Sequence, residues 1–451
     1  ACHSAGIPFT VSAGRSNLTG SATPVDGVVV SMTQMLTPEP VVDAGAMTVR
    51  SPVGIILEDL RNLVLAQSGS TLLFPVNPTS RTDAAVGGVV ACNASGFTPG
   101  EAGAARSWVT SLDFLLPNGL KAAVERGQYR SKDGEFVLAH GNTETTMPVP
   151  RYPRPAIKNA GGPWSAPDGA MDLMDLVVGS EGLFGLVTAC TLKLMPRPAD
   201  YLDLFFSLPR EEEAVRFYHY VRRRLEGRLD RLTALEYFGV NCRKYMDHEE
   251  RLFHGDDPVA IYIQVPLAGT PADEAAEAWF GILSEAGCSI DENRILLIDN
   301  DRDRKIFLEA RHSLPARALE VVQQRGTFTI MTDTVVPPER FAEFLGFTHG
   351  LLEFEHLDYL AFGHLGDCHL HFTILPTKEQ LALGAQVYDR IIVKSAELGG
   401  VYSGEHGTGK RKRADFLKCY GPGAVEQLRR CKAAVDPRFL LNRGNVIEAP
   451  A

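Results

Sequence analysis

"SAGRSNLTG", residues 12–20, follows a short apolar strand, "FTV", and is built from Gly, Ser, Thr and Asn around one arginine and one leucine. A loop of this composition can turn successive backbone N–H groups inward as an anion-binding nest, with its hydroxyls as further donors. Its spacing fits neither G-x-G-x-x-G nor a P-loop, so neither dinucleotide motif applies. An ordinary surface turn has the same composition. Two further stretches add weight: "NPTSRTDAAVGGVVACNASG", residues 77–96, and "DLVVGSEGLFGLVT", residues 175–188. Each joins small residues to an apolar run, so that backbone can approach a flat ligand closely. Three such loops in one strand-rich domain imply a large, elongated cofactor.

A chain of 451 residues is too long for one ordinary core, and two or three domains are expected. Up to residue 198 the pattern is short β-branched strands between turns: "GVVVSM", "LLFPV", the hairpin "SLDFLLPNGLKA" and "LFGLVTACTLKLMP". "ACHSAGIP" reads as the last turn of a helix, so the opening part of this first domain is expected to be missing. The composition then changes. "YLDLFFSL", "EEEAVRFYHYVRRRL", "LTALEYF", "VAIYIQVPL", "PADEAAEAWFGILSEAG" and "RILLI" alternate as β-α-β-β-α-β, the split ferredoxin-like unit. A further round follows in "TFTIMTDTVVP", the helix from "PERFAEF", "LDYLAFGHLGD" and "CHLHFTIL". The fold class is therefore α+β, with domains expected at 1–198, 199–390 and a C-terminal helical region at 391–451.

The net charge of -10 and pI near 5.7 argue against a binder of nucleic-acid backbone, which needs dense Lys/Arg. The run Lys410-Arg411-Lys412-Arg413 reads as a solvated helix face, with a nuclear signal or nucleic-acid patch as the alternative. Eight cysteines without C-x-x-C spacing cannot build a local iron-sulfur cluster or zinc knuckle, and point to a reducing compartment. No apolar stretch is long enough to span a membrane and no signal-peptide layout is present. The expected location is cytoplasmic, either free or peripheral to a membrane.

"HLGDCHLHF", residues 364–372, holds the other cluster of chemistry. His369 and His371 alternate on a strand and so share a face, with His364 across the Gly366-Asp367 turn. "GEHG" adds Glu405 and His406, and two imidazoles plus a carboxylate form a normal ligand set for a divalent transition metal. A metal site, a catalytic base and a strand of hydrogen-bonded imidazoles all remain open on pattern alone.

Together with "SGEHGTGKRKR" and "DPRFLLNRGNVI", these stretches occur in an order that resembles the FAD-linked oxidases with a PCMH-type (vanillyl-alcohol oxidase) flavin domain. The branch is that of D-lactate dehydrogenase, the glycolate oxidase flavin subunit and D-2-hydroxyglutarate dehydrogenase, and the resemblance covers almost the entire chain. It implies a PCMH-type FAD-binding domain, a ferredoxin-like cap and oxidation of a D-2-hydroxy acid by hydride transfer to flavin. It implies FAD contacts at Gly14, Ser16, Asn17, Leu18, Thr19 and Gly20 in the first loop. In the second segment they fall at Pro78, Thr79, Ser80, Gly87, Gly88, Asn93, Ala94 and Gly96. In the third they fall at Gly179, Ser180, Glu181, Gly182, Gly185 and Thr188. It further implies a divalent metal, zinc, manganese or iron, on His364, His371 and Glu405. His406 matches the proposed base, and Arg311 stands where relatives carry a carboxylate-binding arginine, with a structural salt bridge as its alternative.

Several positions depart from the family pattern. Ser16 stands where relatives with covalent flavin have histidine, so FAD is expected to be noncovalent. The usual Gly-Asp-Gly-Asn turn reads Gly366-Asp367-Cys368-His369, which brings His369 into the substrate region. Met331 takes the place of a substrate-binding lysine in some relatives. These changes favour a lactate-like monocarboxylic substrate. The chain supplies no second redox centre, so the electrons are expected to pass to oxygen, a quinone, or a partner such as an electron-transfer flavoprotein or an iron-sulfur subunit. A metallohydrolase using His364, His371 and Glu405, and a flavin-free structural subunit, are the alternatives.

Overall fold

Strand β1 (Phe9–Ser12) pairs in parallel with β2 (Val28–Ser31), and the Gly/Ser/Asn loop lies between them. Strands β3 (Val41–Asp43), β4 (Thr48–Pro52), β5 (Val109–Leu115), β6 (Lys121–Glu125) and β7 (Leu186–Lys193) form an antiparallel sheet of order β3-β4-β7-β5-β6. Two helices of this part follow the strand β4 in sequence. In α1 (Leu57–Gln67), Leu57, Leu60 and Val64 are spaced to face inward and are buried. In α2 (Val86–Cys92), Val86, Val89 and Val90 are buried, and Asn93 ends the helix in the left-handed region at φ 49°. The apolar run after the second loop is thus a helix. The helix over Arg413–Val435 is interrupted at Gly421, φ 78°, ahead of Pro422, which cannot continue a helical hydrogen-bond ladder.

This computed structural model describes residues 1–140, 143–290 and 294–448. The chain divides into two units. The first comprises Ala1–Gly96, Glu101–Arg197 and Ser403–Ala451, the second Phe97–Gly100 and Pro198–Tyr402. Residues 391–402 therefore lie with the second unit and 403–451 with the first. Among the described residues no helix is long and apolar enough to cross a membrane.

The second unit contains the β-α-β-β-α-β run as β8 (Asp200–Leu208), α3 (Glu211–Arg224), β9 (Ala234–Phe238), β10 (Val259–Leu267), α4 (Ala272–Glu285) and β11 (Leu296–Leu297). Its strand order, β11-β8-β10-β9, antiparallel throughout, is that of a ferredoxin-like sheet. After α5 (Asp301–Gln324) the expected strand "TFTIMTDTVVP" is split into β12 (Ile330–Met331) and β13 (Thr334–Val335). The sheet then continues past β9 through β14 (Tyr359–His364) and β15 (His369–Ile374), with β12 and β13 both pairing with β15. Helices α6 (Phe341–Phe354) and α7 (Leu381–Glu397) complete the unit.

This sheet is covered on both faces, and strand parity decides which side chain goes where. Leu235, Tyr237, Ile261 and Ile263 pack on one face against residues of α3, α4, α6 and α7. Ala234, Phe238, Ala260 and Tyr262 pack on the other against Phe307, Ala310, Leu314, Ala318 and Val322 of α5. Glu236 has the parity of the second set. Because Glu236 pairs with His364, and His364 with His369, the face under α5 also receives His364, His369 and His371.

Candidate functional site

In the first unit the three Gly-rich segments converge. A Cβ on Gly14 would collide with the backbone of Asp83 and Ala85, which joins the first loop to the second. Gly179 N–H donates to the Val90 carbonyl at 3.1 Å and Glu181 N–H to the Ala91 carbonyl at 2.8 Å, which joins the third loop to α2. Several of the expected cofactor residues serve this convergence. Gly87 abuts Val53, Gly96 abuts Asn77, Gly182 abuts Asn442 and Gly185 abuts Phe114, all too closely for a side chain. At Gly88, by contrast, a Cβ would meet open space. Asn17 Oδ1 accepts from Thr19 N–H, Thr19 Oγ1 and Ser21 N–H at 3.0–3.1 Å, and so shapes the loop itself. Asn93 Oδ1 accepts from Arg106 N–H at 2.8 Å, and Thr188 Oγ1 donates to the Asp113 carbonyl at 3.3 Å. Ser180 is buried, its Oγ donating to the Val177 carbonyl at 2.8 Å. Ser16, Pro78 and Ser80 are half-buried, while Leu18 and Thr79 are exposed.

The segment carrying Glu405 and His406 is fastened to these loops. Asn17 Nδ2 donates to the His406 carbonyl at 3.2 Å, and Thr19 Oγ1 to the same oxygen at 3.3 Å. Thr19 O accepts from the N–H groups of Lys410 and Arg411 at 3.0 and 3.1 Å. Buried Glu181 accepts from Ser21 Oγ at 2.7 Å, from Gly409 N–H at 2.6 Å and from Thr408 N–H. Burial pushes its carboxyl up from the ordinary value, against the pull of those donors. Lys410 Nζ reaches Asn445 Oδ1 at 2.6 Å, and its partial burial lowers its pKa to about 8. The basic run at 410–413 is therefore not a solvated helix face. It precedes and opens the C-terminal helix, Lys412 is buried, and its backbone is bound to the first loop. Glu405 Oε2 lies 3.4 Å from both Ser95 Oγ and Lys158 Nζ, and its Oε1 lies 3.7 Å from His406 Nε2.

In the second unit the three histidines form one cluster. Ring centroids are 5.3 Å apart for His364 and His369, 4.7 Å for His369 and His371, and 5.9 Å for His364 and His371. Each ring is fixed from behind. His364 Nδ1 lies 2.6 Å from Glu236 Oε1, His369 Nε2 lies 2.8 Å from Asp333 Oδ1, and His371 Nδ1 faces the Thr332 carbonyl at 3.4 Å. Arg311, on α5, gives Nη2 to Glu236 Oε2 at 3.0 Å and lies 4.3 Å over the Phe97 ring. Burial alone would raise the Glu236 carboxyl, but His364 and Arg311 outweigh it and hold it below the ordinary value. Pro315 removes the amide that would bond the carbonyl four residues earlier, that of Arg311 itself. Cys368 closes the turn at φ 51°, a left-handed conformation that glycine adopts more easily.

The sequence reading missed Lys158, Glu236 and Asp333. Glu236 and Asp333 had a signal: each is an acid inside an apolar strand, a position where charge is tolerated only when paired. Lys158 lies in a loop, "AIKNAGG", with no periodicity to mark it.

The donors of the first unit suit FAD. Ser16 and Ser80 are half-buried and Thr79 is exposed on the converging segments, and Gly88 leaves open space where a Cβ would stand, a donor set and a close backbone approach that fit a dinucleotide's phosphates. Comparison with known proteins agrees. Residues 1–122 match the model of the FAD binding domain, and residues 205–446 match that of the FAD linked oxidases, C-terminal domain. A D-lactate dehydrogenase of Anaerostipes hadrus is 26% identical, over 99% of this chain and 85% of that protein. The mitochondrial D-2-hydroxyglutarate dehydrogenase of Rattus norvegicus is 24% identical, over 100% of this chain and 75% of its own length. A crystal structure of p-cresol methylhydroxylase with substrate bound shares the fold at a TM-score of 0.69 and 15% identity, covering 99% of this chain and 85% of that one. The chain belongs to the FAD-linked oxidases and is an FAD-linked oxidoreductase of that family.

Proposed function

We propose that the protein oxidises a D-2-hydroxy acid to the 2-oxo acid, with a lactate-like monocarboxylic acid as its preferred substrate. The observation that carries this reading is the row of three imidazoles on β14 and β15, each fixed by a buried acceptor, with Arg311 beside it. Bound FAD supplies the acceptor for the hydride from the α-carbon. A divalent cation on His364, His371 and Glu405, zinc, manganese or iron, supplies a Lewis acid for the substrate carboxylate and hydroxyl. Two neutral imidazoles and a carboxylate are a fitting donor set for these ions. His406 takes the hydroxyl proton, as an imidazole does efficiently near neutral pH. Arg311 steadies the carboxylate by a charge-assisted hydrogen bond. The electrons leave for an external acceptor: an electron-transfer flavoprotein, an iron-sulfur subunit or a quinone.

The monocarboxylic preference rests on charge. Met331 and His369 stand in place of a lysine and an amide, and Arg311 is already paired with Glu236. A distal carboxylate left without a cationic partner costs far more than a lost methylene contact. The comparison belongs above about pH 7.5, where an ordinary imidazole is neutral and adds no positive charge. There, dye reduction with a panel of D- and L-2-hydroxy acids is expected to give higher kcat/KM for D-lactate or a larger monocarboxylic relative than for D-2-hydroxyglutarate. The reverse order would refute the preference.

FAD is held noncovalently in this reading. Ser16 offers no imidazole to the flavin, and burial pushes the thiol of Cys92, whose Sγ lies 3.7 Å from Asn17 Nδ2, up to about 12. Acid precipitation is expected to release all the yellow colour into the supernatant. Colour retained in the pellet would show a covalent link.

A further inference from the structure

Glu236 is a charged side chain buried to 3% exposure within a strand whose neighbours Leu235 and Tyr237 are core residues. An acid in such a place is tolerated when both oxygens are satisfied, and here each has a different partner: His364 Nδ1 at 2.6 Å and Arg311 Nη2 at 3.0 Å. An ionised carboxylate only accepts hydrogen bonds, so His364 Nδ1 carries the hydrogen, and whenever the ring is neutral its lone pair lies on Nε2. The Thr332 carbonyl imposes the same tautomer on His371. Asp333 imposes the opposite one on His369, whose Nε2 is the donor. The two histidines of the proposed metal set therefore share one tautomer, and the third differs from them. Glu236 also meets the positive charge of Arg311 within the same buried pair.

We propose that Glu236 is a positioning residue with two effects: it presents Nε2 of His364 to the divalent cation, and it neutralises Arg311 so that the site accepts one substrate carboxylate and not two. This rests on the metal-assisted hydroxy-acid reading above. A carboxylate behind a ligating imidazole fixes ring orientation and raises ligand basicity, and its loss typically weakens metal binding by about 10- to 100-fold. An Arg–Glu pair that served only as a brace would affect folding and leave metal affinity and substrate choice alone.

The test is Glu236→Gln in the full-length, FAD-loaded protein, titrated with Co²⁺ and with Zn²⁺. Metal affinity is expected to fall by about 10- to 100-fold, with flavin content and circular dichroism unchanged. The ratio of kcat/KM for D-2-hydroxyglutarate to that for D-lactate is expected to rise by about tenfold or more, because Arg311 regains an uncompensated charge. If Glu236→Gln does not fold, Glu236→Asp keeps the charge but shortens the reach to His364; its metal affinity is then expected to drop while the substrate ratio stays near wild type. Metal affinity within about twofold of wild type in a folded variant overturns the role of Glu236 and leaves the metal site standing. Wild-type protein that binds neither ion overturns the metal reading and this role together.

Discussion

His406→Ala is expected to slow anaerobic flavin reduction by about 100-fold or more, the usual contribution of a general base. FAD content should be unaffected, because Asn17 and Thr19 hold the backbone carbonyl of His406 and not its ring. The substitution therefore removes the imidazole and leaves the first loop bound to the 405–411 segment. Rapid mixing of oxidised enzyme with excess D-lactate measures the step directly. An unaltered rate would transfer the role to His369, whose Nε2 is bound to Asp333.

His371→Ala should abolish stoichiometric metal while the flavin spectrum remains that of wild type. The ring leaves a small void on the face under α5, where the lost packing costs on the order of 1–3 kcal/mol, but the β15 ladder is made by backbone and persists. The three Gly-rich segments proposed to hold FAD lie in the first unit and His371 in the second, so flavin retention and metal loss are separable readouts. Activity is expected to fall with metal content and to stay low after dialysis against zinc or manganese. Elemental analysis showing no metal in active wild-type protein would remove the ligand set.

The second unit was largely legible because its periodicities are clean. The acids-first, arginines-last segment is α3, and β8, β9 and β10 fall where alternating and continuous apolar runs place them. The split at Thr332 and Asp333 was not legible. Strand propensity runs through "TFTIMTDTVV", but Thr332 exchanges N–H and Oγ1 bonds with Phe372, and Asp333 turns inward to His369. These are tertiary demands that no local pattern carries. In the first unit, glycines expected to border a ligand in several cases border protein. Composition marks close approach without saying what approaches, and Gly87, Gly96 and Gly185 are filled by Val53, Asn77 and Phe114. The partner of Arg311 was hidden for a related reason. Glu236 lies 75 positions away, and the two meet because strand parity and α5 bring them to one face.

The most direct measurement is the visible flavin spectrum of metal-replete protein, oxygen excluded, on addition of D-lactate and, separately, L-lactate. Bleaching of the flavin by D-lactate with stoichiometric pyruvate, and none by L-lactate, is the expected result. A flavin that remains oxidised with every D-2-hydroxy acid tested, in protein shown to contain FAD and metal, would contradict it.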